Sequence, residues 1–163
     1  MSELLIVGIS DYKLGRNPNV LVTYALGSCV GICLYDNQAK IGGLSHIMLP
    51  DSNMFSKNES INRMKFADTA ILDMVKDLVK MGANRFRLIA KIAGGAQMFQ
   101  VQQGSQIGNI GHRNISSVKK TLQGLKIPII AEDTGSNFGR TVYFSLDTGA
   151  MKIQSLSRNI CEF

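Results

Sequence analysis

Apolar and polar positions alternate along three short runs between Val20 and Pro50, and turn residues close each run. The first run is Val20–Leu26, the second is centred on Val30–Leu34, and the third spans Ile41–Leu49. Alternation with a period of two, bounded by Gly, Asp and Asn, is typical of β-strands. The pattern therefore predicts three consecutive strands in this part of the chain.

The same periodicities predict the elements that flank this block. Further strands are expected at Leu4–Ile9, Arg85–Ala93, Ile127–Glu132, Thr141–Leu146 and Met151–Leu156, which makes seven or eight strands in all. Apolar residues recur every three or four positions from Met64 to Val79, and Gly82 follows as a capping glycine, so a helix is predicted there. A second helix is predicted after Asn109–Asn114, with Ile115, Val118, Leu122 and Leu125 on one face.

Runs of strands interrupted by helices favour an α+β fold. The 163 residues contain no repeat or internal linker, and we expect a single domain over residues 1–163. Two helices cover only part of so much sheet. Two sheets packed together, each with a helix outside, would bury both apolar faces in an α/β/β/α sandwich.

Three segments lack a regular pattern. Asp11–Asn19 is predicted to be a turn-rich crossing, and Asn159–Phe163 a frayed tail. Asp51–Asn62 is polar and long for a loop, so we expect residues 51–62 to be mobile. This loop directly follows the third strand, where it either covers a site or forms a disordered surface loop.

Composition narrows the class of protein. The 45% hydrophobic and 18% charged residues are ordinary for a soluble domain, and the short Leu4–Ile9 run lacks the basic lead of a signal peptide. A soluble cytoplasmic protein is therefore expected. The net charge is +6, but no run holds more than two basic residues. We therefore expect a mildly basic surface that suits an acidic protein partner, with a nucleic-acid-binding module as a rival.

The three cysteines, an odd number, do not suggest a disulfide framework. On a strand, Cys29 and Cys33 would lie about 13 Å apart, too far for a bridge. Zinc is disfavoured because these cysteines and His46 form no CxxC or HxxxH clamp. No metal site is predicted, and Cys161 carries no chemistry that the sequence identifies.

Cys29, His46 and Thr23 are the candidate catalytic residues. A cysteine is a nucleophile only as the thiolate, and a nearby histidine can take its proton and later return it. We therefore expect pairing with His46 to lower the pKa of Cys29. A threonine hydroxyl can hold the other ring nitrogen. Gly27 and Ser28 allow a sharp turn whose backbone N–H groups form an oxyanion site.

Each candidate also has a purely structural interpretation. Cysteine is often a small buried apolar residue, histidine occurs half-buried in strands, and threonine is a good strand former. His112 is a rival for the base, but it falls at a predicted helix start, where the positive end of the helix dipole disfavours its protonation. Spacing alone leaves these alternatives open.

Longer motifs carry a family resemblance. T-x5-C and C-x16-H occur in VTYALGSCVGICLYD and KIGGLSHIMLPDS. They are followed in order by KFADTA (65–70), KIAGGAQMF (91–99), NIGHRN (109–114) and AEDTG (131–135), through to Arg140. Together these motifs resemble the CheD family of chemoreceptor glutamine deamidases over roughly Ile6 to Thr148. Ser136 stands where the family pattern has a second glycine.

The resemblance implies that Cys29 is the nucleophile, His46 the base and Thr23 the residue that orients His46. It implies the α/β/β/α sandwich of two mixed sheets shared with cytotoxic necrotizing factor-like cysteine deamidases. The implied function is hydrolysis of glutamine side chains in methyl-accepting chemotaxis receptors through a thioester, with no metal or organic cofactor. A CheC-type phosphatase is the implied partner, and contact with the membrane occurs only through receptors. Hydrolysis of glutamate methyl esters and a non-catalytic adaptor role remain alternatives.

Overall fold

Ten strands form two five-stranded sheets in a computed structural model of the chain, which describes residues 2–54, 60–98, 109–156 and 158–163. Sheet I has the strand order β1-β3-β8-β9-β10, and sheet II has the order β2-β5-β4-β6-β7. The strands are β1 Leu4–Ile6, β2 Asp11–Arg16, β3 Val20–Leu26, β4 Val30–Asp36, β5 Ile41–Ile47, β6 Ile89–Gly94, β7 Ile129–Thr134, β8 Arg140–Ser145, β9 Met151–Ser155 and β10 Arg158–Glu162. The helices are α1 Ala67–Met81 and α2 Ile110–Gly124.

Both sheets are mixed, as expected. The β1/β3 and β6/β7 pairs are parallel, and the other pairs are antiparallel. The predicted α+β class is confirmed. Two segments differ from expectation: the predicted crossing forms β2 on one edge of sheet II, and the predicted frayed tail forms β10, paired with β9. Both are edge strands with little buried surface, so their apolar pattern is weak.

The helices lie side by side on the outer face of sheet II, which differs from the predicted α/β/β/α order. Within the described residues the layers are therefore helices, sheet II and sheet I. One apolar cluster joins α1 and α2 to sheet II, and a second fills the space between the sheets. Sheet II is buried on both faces, so every residue of β4 and β5 is buried, whereas β8 and β9 alternate. One layer of helices is sufficient because sheet I buries only one face.

Helix α1 ends as the sequence predicted. Gly82 adopts a left-handed conformation with φ of 115°, and its N–H bonds the carbonyls of Leu78 and Val79. Among the described residues, neither α1 nor α2 is long and apolar enough to span a membrane. In the segment predicted to be a mobile loop, residues 55–59 lie outside the described residues. Ser52 donates its backbone N–H (3.0 Å) and its hydroxyl (2.6 Å) to the Asp68 carboxylate.

Candidate functional site

The chain crosses from sheet I to sheet II through a tight turn, Gly27–Cys29, which we call the Cys29 turn. The backbone N–H of Ala96 donates to the Gly27 carbonyl at 2.9 Å, and the N–H of Gly95 donates to the Cys29 carbonyl at 2.8 Å. A Cβ at Gly94 would come within 2.3 Å of the Cys29 carbonyl oxygen, so only glycine allows this approach. The turn is thus held by the Gly-Gly-Ala segment, which begins with Gly94, the last residue of β6.

His46 lies near the end of β5, on the face of sheet II that points toward sheet I. It pairs across the sheet with Gly31, and Leu44, two residues earlier on the same face, belongs to the inter-sheet cluster. Thr23 lies on β3 of the opposite sheet, two residues after Leu21, which also faces this cluster. Both His46 and Thr23 have no exposed surface. The two sheets therefore bring them together from opposite sides.

Hydrogen bonds define which nitrogen of His46 carries a proton. The Thr23 hydroxyl oxygen lies 2.7 Å from His46 Nδ1, and the same hydroxyl lies 2.8 Å from the Val7 carbonyl oxygen. A carbonyl only accepts, so the single hydroxyl proton of Thr23 goes to Val7. His46 Nδ1 must then be the protonated nitrogen and donate to Thr23. Its Nε2 consequently holds a free lone pair, and this buried atom has no hydrogen-bond partner in the described part of the chain.

The strand register places Cys29 and His46 at the same end of the β4–β5 hairpin. Gly31 is opposite His46, and Cys29 lies two residues before Gly31, in the bend that precedes β4. Among the described residues, no hydrogen bond joins the Cys29 thiol to His46 Nε2. Cys29 is partly exposed while His46 is fully buried, so the thiol lies at the mouth and the imidazole behind it.

Burial keeps both groups neutral in the free protein. It raises the pKa of the Cys29 thiol, although the thiol's own backbone N–H opposes the shift. Burial also lowers the pKa of His46 to about 4. The expected lowering of the Cys29 pKa through pairing with His46 is therefore wrong for the resting state. The physical reason is that burial removes solvation that would stabilise each charged form.

The other two cysteines and the rival histidine occupy different positions. Cys33 lies within β4, two residues after Gly31, and is buried between the sheets; burial raises its pKa strongly, and all three cysteines are free thiols. Cys161 lies on the edge strand β10. His112 is exposed on the first turn of α2. A groove of about 630 Å³, lined by residues including Tyr24 and Phe138, is not lined by Cys29 or His46.

Most of the motifs that carry the family resemblance pack close to the Cys29 turn, against it or against one another. The Gly-Gly-Ala segment binds the turn itself, and the Gly135 N–H donates to the Gly94 carbonyl at 2.9 Å. A Cβ at Gly111 would lie 2.5 Å from the Ala96 carbonyl, so α2 begins directly against this segment. The Lys65 carbonyl accepts from the N–H of Met48 at 2.9 Å, which fixes the chain just after β5.

Sequence reasoning missed two groups in this region. The Val7 carbonyl, which determines the His46 tautomer, has no side-chain signal. Asn114 is fully buried in α2, and its amide nitrogen lies 2.9 Å from the carbonyl oxygens of both Ser28 and Met48. A polar residue on the apolar face that includes Ile115 and Val118 was a visible sign, because a buried amide needs partners.

Comparison with known proteins gives a consistent result. A family model described as CheD chemotactic sensory transduction matches residues 48–155. A probable chemoreceptor glutamine deamidase CheD of Caldanaerobacter subterraneus subsp. tengcongensis is 49% identical over 159 residues, covering 98% of this chain and 97% of the relative. Proteins of the same name from Moorella thermoacetica and Clostridium kluyveri are 53% and 49% identical, covering 93% and 96% of this chain and 90% and 95% of the relatives. The match with the Caldanaerobacter protein includes the segments that carry Cys29 and His46, which lie before the residues matched by the family model.

Proposed function

Because the chain belongs to the CheD family, we propose that it is a chemoreceptor glutamine deamidase with a Cys29–His46–Thr23 catalytic site. It hydrolyses the side-chain carboxamide of a receptor glutamine to a carboxylate and releases ammonia. The relatives that match nearly all of this chain carry the name of that activity. The assignment of individual residues rests on the geometry of the site.

The observation that carries the proposal is the orientation of His46. Its Nδ1–H is committed to Thr23, whose own proton is committed to Val7, so Nε2 is left as an acceptor without a partner. A general base must present an unprotonated nitrogen to the nucleophile, and this tautomer does so. A histidine that served only to fill space would cost stability with an unpaired buried nitrogen and gain nothing from it.

Acylation begins with both groups neutral. As Cys29 Sγ attacks the carboxamide carbon, its proton moves to His46 Nε2, so the thiolate and the imidazolium form together and stabilise each other. The carbonyl oxygen becomes an oxyanion, for which the backbone N–H groups of Ser28 and Cys29, in the Gly27-containing turn, are the donors. His46 then gives the proton from Nε2 to the leaving nitrogen. The C–N bond breaks, ammonia departs and a thioester remains on Cys29.

Deacylation reverses the roles with water as the nucleophile. His46 Nε2 takes a proton from water as its oxygen attacks the thioester carbon, and the proton passes to Cys29 Sγ when the C–S bond breaks. The product is glutamate, and the enzyme returns to its neutral state. Throughout both steps Thr23 Oγ1 accepts from Nδ1–H, and this bond strengthens when the ring is charged. None of these steps requires a metal or an organic cofactor.

The proposed substrates are the cytoplasmic helices of methyl-accepting chemotaxis receptors, so the enzyme would work in the cytoplasm and reach the membrane only through receptors. A CheC-type phosphatase is the proposed regulatory partner. The net charge of +6 supports association with acidic protein surfaces, because opposite charge speeds encounter. We also propose that the sandwich is related to that of cytotoxic necrotizing factor-like deamidases. Its support is the position of Cys29 and His46 at one end of two packed sheets.

The test is mass spectrometry of a receptor cytoplasmic fragment incubated with the protein in oxygen-18 water. We expect glutamines to become glutamates that contain the heavy oxygen, because water cleaves the thioester. Cys29→Ala should lose this activity while keeping its fold, since a side chain at the mouth contributes little packing. Cys33→Ala is the matched control: it removes a buried thiol of β4, four residues along the chain from Cys29, and should keep most of the activity.

Two outcomes would contradict the proposal. Retained deamidation in Cys29→Ala would exclude Cys29 as the nucleophile. If the wild-type protein binds the receptor fragment but deamidates no glutamine, the adaptor role is favoured instead.

A further inference from the structure

Asn114 links the two parts of the candidate site that carry Cys29 and His46. Its side-chain nitrogen, Nδ2, lies 2.9 Å from the Ser28 carbonyl oxygen and 2.9 Å from the Met48 carbonyl oxygen. Ser28 precedes Cys29, and Met48 lies two residues after His46. One buried amide therefore spans the Cys29 turn and the end of β5.

The two donor hydrogens of an amide suit this bridge, and the amide oxygen Oδ1 has no partner among the described residues. Nδ2 has two hydrogens, and each points to one of the two carbonyls. A carboxylate in the same place would have no donor and would face two carbonyl oxygens. An aliphatic side chain would leave both carbonyls without this donor.

We propose that Asn114 is a positioning residue that sets the direction of the Cys29 backbone N–H and the separation of Cys29 from His46. This inference rests on the proposed deamidase function, since it assigns Asn114 a part in the same site. Asn114 does not touch the reacting atoms and acts through the Cys29 turn.

Peptide geometry gives the first part of the effect. In a trans peptide, the carbonyl of one residue and the N–H of the next point in opposite directions across one plane. When Asn114 holds the Ser28 carbonyl on the helix side, the Cys29 N–H must point to the other side. That N–H already favours the anionic form of the Cys29 thiol. The Ala96 N–H holds the Gly27 carbonyl in the same way and so directs the Ser28 N–H.

Helix packing gives the second part. The Gly111 position lies against the Gly95 and Ala96 carbonyls, where a Cβ would approach within 2.6 Å and 2.5 Å, and a Cβ at Gly95 would meet Ile115 at 2.3 Å. The first turns of α2 are thus seated against the segment that holds the Cys29 turn. Asn114 lies between Gly111 and Ile115 in this contact, so its amide has a fixed position from which to hold both carbonyls.

The test compares Asn114→Ala with Val118→Ala, a matched control four residues further along α2. Val118 is also fully buried but belongs to the apolar cluster between helices and sheet II. Both variants should lower the melting temperature. Only Asn114→Ala should lower kcat for deamidation of a receptor fragment, by about a hundredfold, with KM within about threefold of wild type. Alkylation of Cys29 by iodoacetamide at neutral pH should also slow in this variant alone.

Equal kcat in Asn114→Ala and Val118→Ala would overturn the inference and reduce Asn114 to a structural residue. If Asn114→Ala does not fold, Asn114→Ser keeps one donor on a side chain of nearly the same size as alanine, and the same comparison applies: unchanged kcat overturns the inference. Wild-type protein without any deamidase activity would instead contradict the proposed function, and the alkylation rates would still report on the position of Cys29.

Discussion

The two ends of the β4–β5 hairpin each bury a polar side chain, but the two side chains differ in how completely they are hydrogen-bonded. At the Asp36 end, both carboxylate oxygens are fully bonded. Arg87 donates twice at 2.9 Å, and the backbone N–H groups of Gln38, Ala39 and Asn84 donate at 3.1, 3.1 and 2.7 Å. At the His46 end, Nδ1 is bonded and Nε2 is left without a partner in the described residues. A saturated polar group is typical of a structural role, whereas the unpaired Nε2 is available to accept a proton.

The charge states follow the same division. Despite its burial, Asp36 has a pKa lowered to about 2, because its hydrogen bonds to Arg87 and to backbone N–H groups favour the anion. His46 has no such compensation at Nε2, and burial keeps it neutral. One end of the hairpin therefore holds a permanent charge for stability. The other holds a neutral base that becomes charged only during the reaction.

Replacing Asp36 should lower the stability of the fold without lowering the deamidase activity. Asp36→Ala removes the buried acceptor of three backbone N–H groups and of the Arg87 guanidinium, at a cost of about 3 kcal/mol of unfolding free energy. Chemical denaturation measures this loss. Well below the melting temperature, the variant should keep kcat near the wild-type value, because Asp36 lies at the opposite end of β4 from Cys29. A variant that is stable but inactive would show that the two ends do not act separately.

As the pH falls, the stabilising contribution of His46 should be lost before that of Asp36. The unfolded chain binds a proton at this histidine below about pH 6.5, whereas the folded pKa is about 4. Protonation therefore favours the unfolded state between these values. The contribution of His46 is present above pH 6.5 and declines by about 3 kcal/mol as the pH falls to 4.

Denaturation curves of wild type and His46→Asn between pH 7 and 4.5 measure this effect. Asp36 does not interfere, because its contribution is lost only below its unfolded pKa, toward pH 2. We expect wild type to lose stability over this range by more than His46→Asn does. Equal pH dependence in the two proteins would contradict a buried neutral His46.

Thr23 gives a smaller and sharper distinction. Thr23→Val keeps the shape and strand preference of the side chain but leaves Nδ1–H of His46 without an acceptor. Losing this bond should cost about 1–3 kcal/mol in the transition state, roughly ten- to a hundredfold in turnover. The loss should appear in kcat more than in KM, because the bond matters most when His46 is charged.

Thr23→Ser is the control, since it keeps the hydroxyl and should keep much of the activity. Turnover of both variants in the receptor-fragment assay decides the role of Thr23. An active Val variant beside an impaired Ser variant would mean that Thr23 only packs in the strand.

The sequence predicted those features that show in a local pattern of residues. Alternation located β3, β8 and β9, and spacing with the family motifs selected Cys29, His46 and Thr23. It missed β2 and β10, because these two edge strands have few apolar residues, whereas the edge strands β1 and β7 begin with apolar runs. The sequence did not predict that both helices lie on sheet II. In the structure, β4 and β5 are buried on both faces as a result, but the alternating pattern of their residues is equally compatible with a strand that is buried on one face only.

The remaining features depend on contacts between distant parts of the chain. The Val7 carbonyl sets the tautomer of a histidine 39 positions later through Thr23, and Asn114 reaches back to Ser28 over 86 positions. No local pattern encodes such contacts. The raised Cys29 pKa was also unexpected, because burial is a property of the packed site and not of the dyad alone.

The tautomer of His46 tests the central claim most directly, and nitrogen-15 NMR of the imidazole rings measures it. The chain has only two histidines, so His46→Asn assigns the signals by removing one set. At pH 7 we expect His46 to be neutral, with Nδ1 protonated and Nε2 unprotonated. A protonated Nε2, whether in the neutral ring or in an imidazolium, would contradict the assignment of His46 as the base for Cys29.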